Sequence, residues 1–135
     1  MKRLLYITIL AAALFSSSCT DEVGGNANIQ TVNFVVQNNE WLAYGNFGEP
    51  YYGYAVDLVM PQITENVIQQ GMVSLYLKSG DAWLPVPIYF YNDGYQGGFY
   101  YRMKSGLFSI EYYESDHQTQ NPDTQSFRLV IVEPI

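Results

Sequence analysis

From residue 30 onward, apolar and polar positions alternate with the period of a strand that buries one face. Val32, Phe34 and Val36 point one way, with Thr31, Asn33 and Val35 opposite, which predicts a strand over 30–36. Asn38-Asn39 signals a turn, 41–44 a short strand and 45–50 a loop. A long strand follows over 51–60, with Tyr52, Tyr54, Val56, Leu58 and Met60 on one side. Val73, Leu75 and Leu77 mark the inner face of a strand over 72–78, and Ser79-Gly80-Asp81 a turn. Residues 83–91 read as one extended segment, and Pro85 and Pro87, which cannot donate ladder hydrogen bonds, place it at a sheet edge. Asn92-Asp93-Gly94 is expected to open a tight turn running through Gly97-Gly98. Strands over 99–104 and 107–114 flank the two-residue connection Ser105-Gly106. After the longest loop, 115–125, Phe127, Leu129 and Ile131 alternate inward in a last strand over 126–133.

One segment follows another period. Near 62–70, Ile63, Val67 and Ile68 form an apolar stripe, Thr64 is a plausible N-cap and Gly71 a stop. So short a helix does not stand alone, so it is expected to cap an open end of the fold. About eight short strands and one helical turn predict an all-β chain, either an antiparallel β-sandwich or a small barrel.

The first eighteen residues differ from the rest. Lys2 and Arg3 precede an apolar run over 4–15, and Ser16, Ser17 and Ser18 lead to Cys19. A charged start, a short apolar run and a small-residue site describe a secretory signal peptide, too short to span a bilayer. The run 14–19, Leu-Phe-Ser-Ser-Ser-Cys, resembles a bacterial lipobox, although Ser16 stands where an aliphatic residue is usual. The resemblance implies that Cys19, the chain's only cysteine, becomes the acylated first residue of the mature protein. Ordinary cleavage after Ser18, leaving Cys19 free, is the competing reading. Thr20, Asp21 and Glu22 resemble the acidic tag that sends lipoproteins of Bacteroides-type bacteria to the outer face of the outer membrane. The expected organisation is a signal peptide over 1–18, a lipid anchor and tether over 19–28, and a single β domain over 29–135. The expected address is the cell envelope, as an outer-membrane lipoprotein held to the membrane through its N-terminal lipid, at the surface with the periplasm as the alternative.

Charge narrows the partners. The chain carries 6 basic and 13 acidic residues, and Lys2 and Arg3 leave with the signal. So acidic a protein, without a basic stripe, excludes nucleic acid as a partner. The 13 Tyr, 7 Phe and 2 Trp favour pleated, half-buried surfaces first and ligand binding second.

Candidate chemistry is sparse. His117, beside Glu114 and Asp116, is the only histidine and reads as a solvated loop residue, with no second histidine for a zinc site. No Gly-x-Ser-x-Gly elbow is present. Glu111 and Glu114 are three apart in a strand and face opposite sides, whereas Glu111 and Asp57 could meet in space. Asp81, Asn92, Asp93 and Asp123 offer oxygen ligands, but without calcium-loop spacing. The expectation is no catalytic residue, no metal and no cofactor. Tyrosines give the strongest hint. Tyr51, Tyr52 and Tyr95 are the candidate ligand-binding residues, pointing outward, and Tyr100, Tyr112 and Tyr113 are candidates for an outer face. A platform stacking on sugars needs three or more coplanar exposed rings.

Three segments also carry a resemblance for the whole chain: 58–76, from Leu58-Val59-Met60-Pro61 through Gly71 to Leu75-Tyr76; Trp83-Leu84-Pro85-Val86-Pro87; and the closing 127–132. Together, over about 30–134, they are similar to a group of short uncharacterised lipoproteins and exported proteins of Bacteroides-type bacteria. The resemblance implies the β fold and implies no activity. The functional expectation is a non-catalytic binding or structural accessory module of the cell envelope, with a glycan or an envelope protein as partner. The alternatives are a carbohydrate-binding module using exposed tyrosines, or a small acidic glycan hydrolase.

Overall fold

The computed structural model describes residues 26–117 and 120–135, so the expected signal peptide, Cys19 and most of the expected tether lie outside the described residues. The chain forms β1 (Ala27–Val36), β2 (Leu42–Tyr44), β3 (Gly53–Val59), α1 (Glu65–Gln70), β4 (Met72–Ser79), β5 (Ala82–Val86), β6 (Ile88–Asn92), β7 (Tyr95–Lys104), β8 (Leu107–Glu114) and β9 (Gln125–Pro134). Two antiparallel sheets result, β1-β9-β4-β5 and β2-β3-β8-β7-β6, packed as a sandwich rather than closed into a barrel.

Alternation places the core as expected. Phe127, Leu129 and Ile131 of β9, with Val73, Leu75 and Leu77 of β4, face Val56 of β3, Phe99 of β7 and Phe108 and Ile110 of β8. Val32 and Phe34 of β1 pack against this core, half-buried. Phe127 ties the layers together, with ring centroids 5.7 Å from Phe34, 6.0 Å from Phe99 and 6.4 Å from Trp41. Each such buried side chain contributes about 1.5–3 kcal/mol from burial alone.

The helix forms where expected. Thr64 Oγ1 accepts from Val67 N at 3.2 Å, and Ile63 and Val67 are buried. The α1 segment carries the chain from β3 in one sheet to β4 in the other and packs on β4 and β9. Gly106 N donates to Ile63 O at 2.8 Å, and Met60 N to Gly106 O at 3.0 Å, which clips this end of the sandwich to the β7–β8 turn.

Two expectations need correction. The extended segment 83–91 is two strands: Pro87 interrupts it, β5 ending one sheet and β6 the other, which raises the count to nine among the described residues. Both halves are edge strands, as expected of the segment, although only β5 contains a proline, Pro85. Gly97-Gly98 does not extend the turn. The β6–β7 connection is Asp93-Gly94 alone, both at positive φ, as in a two-residue hairpin. Gly97 and Gly98 lie inside β7 because rings of the opposing strand cover them.

Candidate functional site: a tyrosine recess

Directly paired residues of an antiparallel sheet share a face, so register decides what stands on the outside of the five-stranded sheet. Tyr44 pairs with Gly53, Tyr89 with Gly98, Gly98 with Tyr113, and Tyr100 with Glu111. All lie on the face away from the core. Beside them rise Pro50, Tyr51 and Tyr52 from the β2–β3 loop and His117 from the β8–β9 connection. Together they frame an open recess of about 510 Å³. Gly48 N donates to His117 O at 2.8 Å and joins the two rim loops.

Two glycines let the tyrosines lie down on the sheet. A Cβ at Gly98 would meet the Tyr89 ring at 2.8 Å, and one at Gly53 would meet the Tyr44 hydroxyl at 2.6 Å. An aromatic ring folded over a strand glycine restores the packing that the missing side chain forgoes.

Beneath the rings lies a polar chain. Glu111 is only 4% exposed although it faces outward, and the Arg102 guanidinium ion-pairs with it. A buried carboxylate needs such compensation, since an isolated buried charge is very costly. The Tyr100 hydroxyl hydrogen-bonds Glu111 and lies 3.1 Å from the Tyr44 hydroxyl. Burial, then the hydrogen bonds to Glu111 and Tyr44, push the Tyr100 phenol far above its ordinary value. Burial is also the main cause of the upward shift of Tyr44. Both hydroxyls therefore stay protonated and neutral, able to donate and accept but not to act as tyrosinate bases.

The rim is strained. Tyr51 is 87% exposed with φ 71°, and His117 has φ 57°. Such backbone costs on the order of 1–3 kcal/mol where a side chain is present, and it clusters at binding sites.

The expected site residues separate. Tyr51 projects outward and lines the recess; Tyr52 also lines it but is 8% exposed, not open as expected. Its ring meets Phe47 edge-on at 5.5 Å, and its hydroxyl lies 3.2 Å from that of Tyr54. Tyr95 belongs elsewhere: it pairs at the β6–β7 hairpin on the other face and lines a separate polar hollow with Glu114, Asp116 and Asp123. Of the outer-face candidates, Tyr100 and Tyr113 hold, whereas Tyr112 is buried in the core. His117 is half-buried on the recess rim rather than solvated. Tyr44 and Tyr89 had no separate signal in the alternation. Tyr100 and Glu111 did, because counting back from the Ser105-Gly106 turn sets them opposite each other.

The rings do not make a flat platform. Tyr100 and Tyr113 meet at 68°, with centroids 5.8 Å apart, so they form walls. Asp57 and Glu111 share the outer face as diagonal neighbours, since Ala55 stands opposite Glu111, but each has its own partner: Ser109 holds Asp57 and Arg102 holds Glu111. No group of three or more acidic, histidine or cysteine side chains is placed to hold a metal ion among the described residues. No family model, no curated protein and no solved structure matches the chain.

Proposed function

We propose that this protein is a lipid-anchored, non-catalytic binding module of the cell envelope that takes a neutral sugar ring of a glycan into the tyrosine recess. The observation that carries the reading is a recess walled by tyrosines over a carboxylate already neutralised by Arg102. Ring faces suit the C–H faces of a sugar, and neutral phenol hydroxyls suit its hydroxyl groups. With Glu111 ion-paired, the recess does not act as a trap for cations. The same pairing speaks against the hydrolase alternative. Glycoside cleavage needs two carboxyl groups about 5–10 Å apart across the substrate, whereas Glu111 is buried and ion-paired and neither it nor Asp57 lines the recess. The recess is within the usual size of small-ligand sites, about 300–1,000 Å³. Envelope attachment rests on the leader and on Cys19.

Titration calorimetry of the chain with defined neutral oligosaccharides tests the ligand. Binding of at least one is expected, weakened about tenfold, the equivalent of 1.4 kcal/mol, by Tyr51→Ala. Absence of binding to every neutral oligosaccharide, or binding indifferent to Tyr51, overturns the sugar reading. Cys19→Ala is expected to move the protein from the membrane fraction to the soluble fraction without unfolding it; retention in the membrane overturns the anchor.

A further inference from the structure

The sandwich has four sheet edges, and two are guarded by shortness or proline. The β2 strand is three residues long, and β5 carries Pro85 and ends at Val86, just before Pro87; β6, without proline or charge, has five residues, half the length of β1. Short strands and prolines are the usual protection of an edge, because an open row of backbone N–H and C=O groups templates pairing with another chain. The β1 edge has no such protection. It runs ten residues, Ala27–Val36, with no proline, no glycine and no charged side chain. On one side it pairs with β9 along its whole length, and on the other it carries no strand among the described residues.

Its side chains have an internal symmetry. Ile29 and Val35, two apolar residues on the solvent face, are 66% and 49% exposed and stand three positions either side of Val32. If two β1 strands pair antiparallel about Val32, Ile29 of each copy comes opposite Val35 of the other, and Thr31 opposite Asn33. The pairing closes with two-fold symmetry, so both edges are consumed and no fibre grows. Net charge opposes association everywhere but along this edge. With 13 acids against 6 bases, two copies repel over most of their surface, but β1 brings no charge of its own to the contact.

From this we infer that β1 is a self-association edge, joining two copies through one continuous eight-stranded sheet. The two tyrosine recesses then face away from the shared sheet, free to engage one ligand bivalently. The inference stands on the edge and not on the identity of the ligand.

Sedimentation and light scattering of the full chain carrying Cys19→Ala test it across a wide concentration range. A concentration-dependent dimer is expected, and Val35→Lys, a change at an exposed position, is expected to leave a monomer with unchanged far-UV circular dichroism. Val59→Lys, on the other sheet, is the control and is expected to dimerise as before. Register is read by oxidative cross-linking. A mixture of Ile29→Cys chains with Val35→Cys chains is expected to give a disulfide-linked dimer, and neither variant alone does so, because its own thiols lie far apart in this register. A monomer at every concentration, a dimer indifferent to Val35→Lys, or equal cross-linking by either cysteine variant alone overturns the inference. Capture of a different protein's strand by a monomeric chain does so as well.

Discussion

The two faces of the five-stranded sheet both carry aromatic rings, and the rings differ by face. Inward stand Tyr54, Phe90, Phe99, Tyr101, Phe108 and Tyr112, several of them in stacked or tilted contact: Tyr101 on Phe108 at 5.1 Å, Phe99 on Tyr112 at 4.7 Å. Outward stand Tyr44, Tyr89, Tyr91, Tyr100 and Tyr113, tyrosine without exception, and all but Tyr91 line a recess. The inner tyrosines still find partners at the margins: Tyr101 donates to Val73 O at 3.0 Å, and Tyr112 to Glu114. A phenyl ring needs only neighbours, whereas a phenol also needs a hydrogen-bond partner, so tyrosine gathers where water, a carboxylate or a ligand can supply one. The inner face holds the molecule together, and the outer face has hydroxyls to offer.

Substitution should separate the faces most sharply at their centres. Phe108 and Phe127 are wholly buried, so Phe108→Ala or Phe127→Ala is expected to cost about 3–5 kcal/mol, read as a large fall in the urea midpoint. If either costs less than the outer-face variants, the division of labour is wrong. A middle-sized effect is expected at the polar chain. Tyr100→Phe removes a donor from buried Glu111 and a partner from Tyr44, for about 1–3 kcal/mol, with the melting temperature as readout.

Alkaline titration sharpens the comparison further. Tyr44, Tyr54, Tyr100 and Tyr101 all have raised values in the folded protein, through burial for Tyr44, Tyr100 and Tyr101 and through the hydrogen bond with Tyr52 for Tyr54. Above the ordinary value of 10.0 the unfolded chain loses these protons first, so it binds fewer than the native chain. Stability is therefore complete below about pH 10 and falls as the pH rises beyond it. The melting temperature should drop from pH 9 to pH 11, and Tyr100→Phe should make that drop shallower. The smallest effect on stability is expected at the rim: Tyr51→Ala leaves no cavity and should change stability by less than about 0.5 kcal/mol while weakening the proposed sugar binding about tenfold. A loss comparable to that of Phe108→Ala would show that the ring is structural.

Much of this was legible in the chain. Period-two alternation marks β1, β4 and β9 and the inward set Phe127, Leu129 and Ile131, because a side chain on the wrong face of a strand leaves apolar surface in water. The Ser105-Gly106 turn sets the β7–β8 register by simple counting, and Thr64 and Gly71 bracket the helix, since these are local rules of hydrogen bonding and backbone freedom. The tyrosine face was legible only in part. Tyr51, Tyr52, Tyr100 and Tyr113 stood out as tyrosines. Nothing in the alternation said that Tyr44 and Tyr89 would join them, that Tyr95 would fall on the opposite side of the sheet, or that Tyr52 would be covered by Phe47. Those placements depend on which strands become neighbours, a matter of long-range packing between segments as distant as 44 and 100. For the same reason only the tertiary structure decided that 83–91 splits between two sheets, that Gly97-Gly98 are strand rather than turn, and that Glu111, an acid on an outer face, is buried beneath an arginine and a tyrosine. Sequence determines which face of each strand is apolar; the assembled sheets determine which outward residues meet.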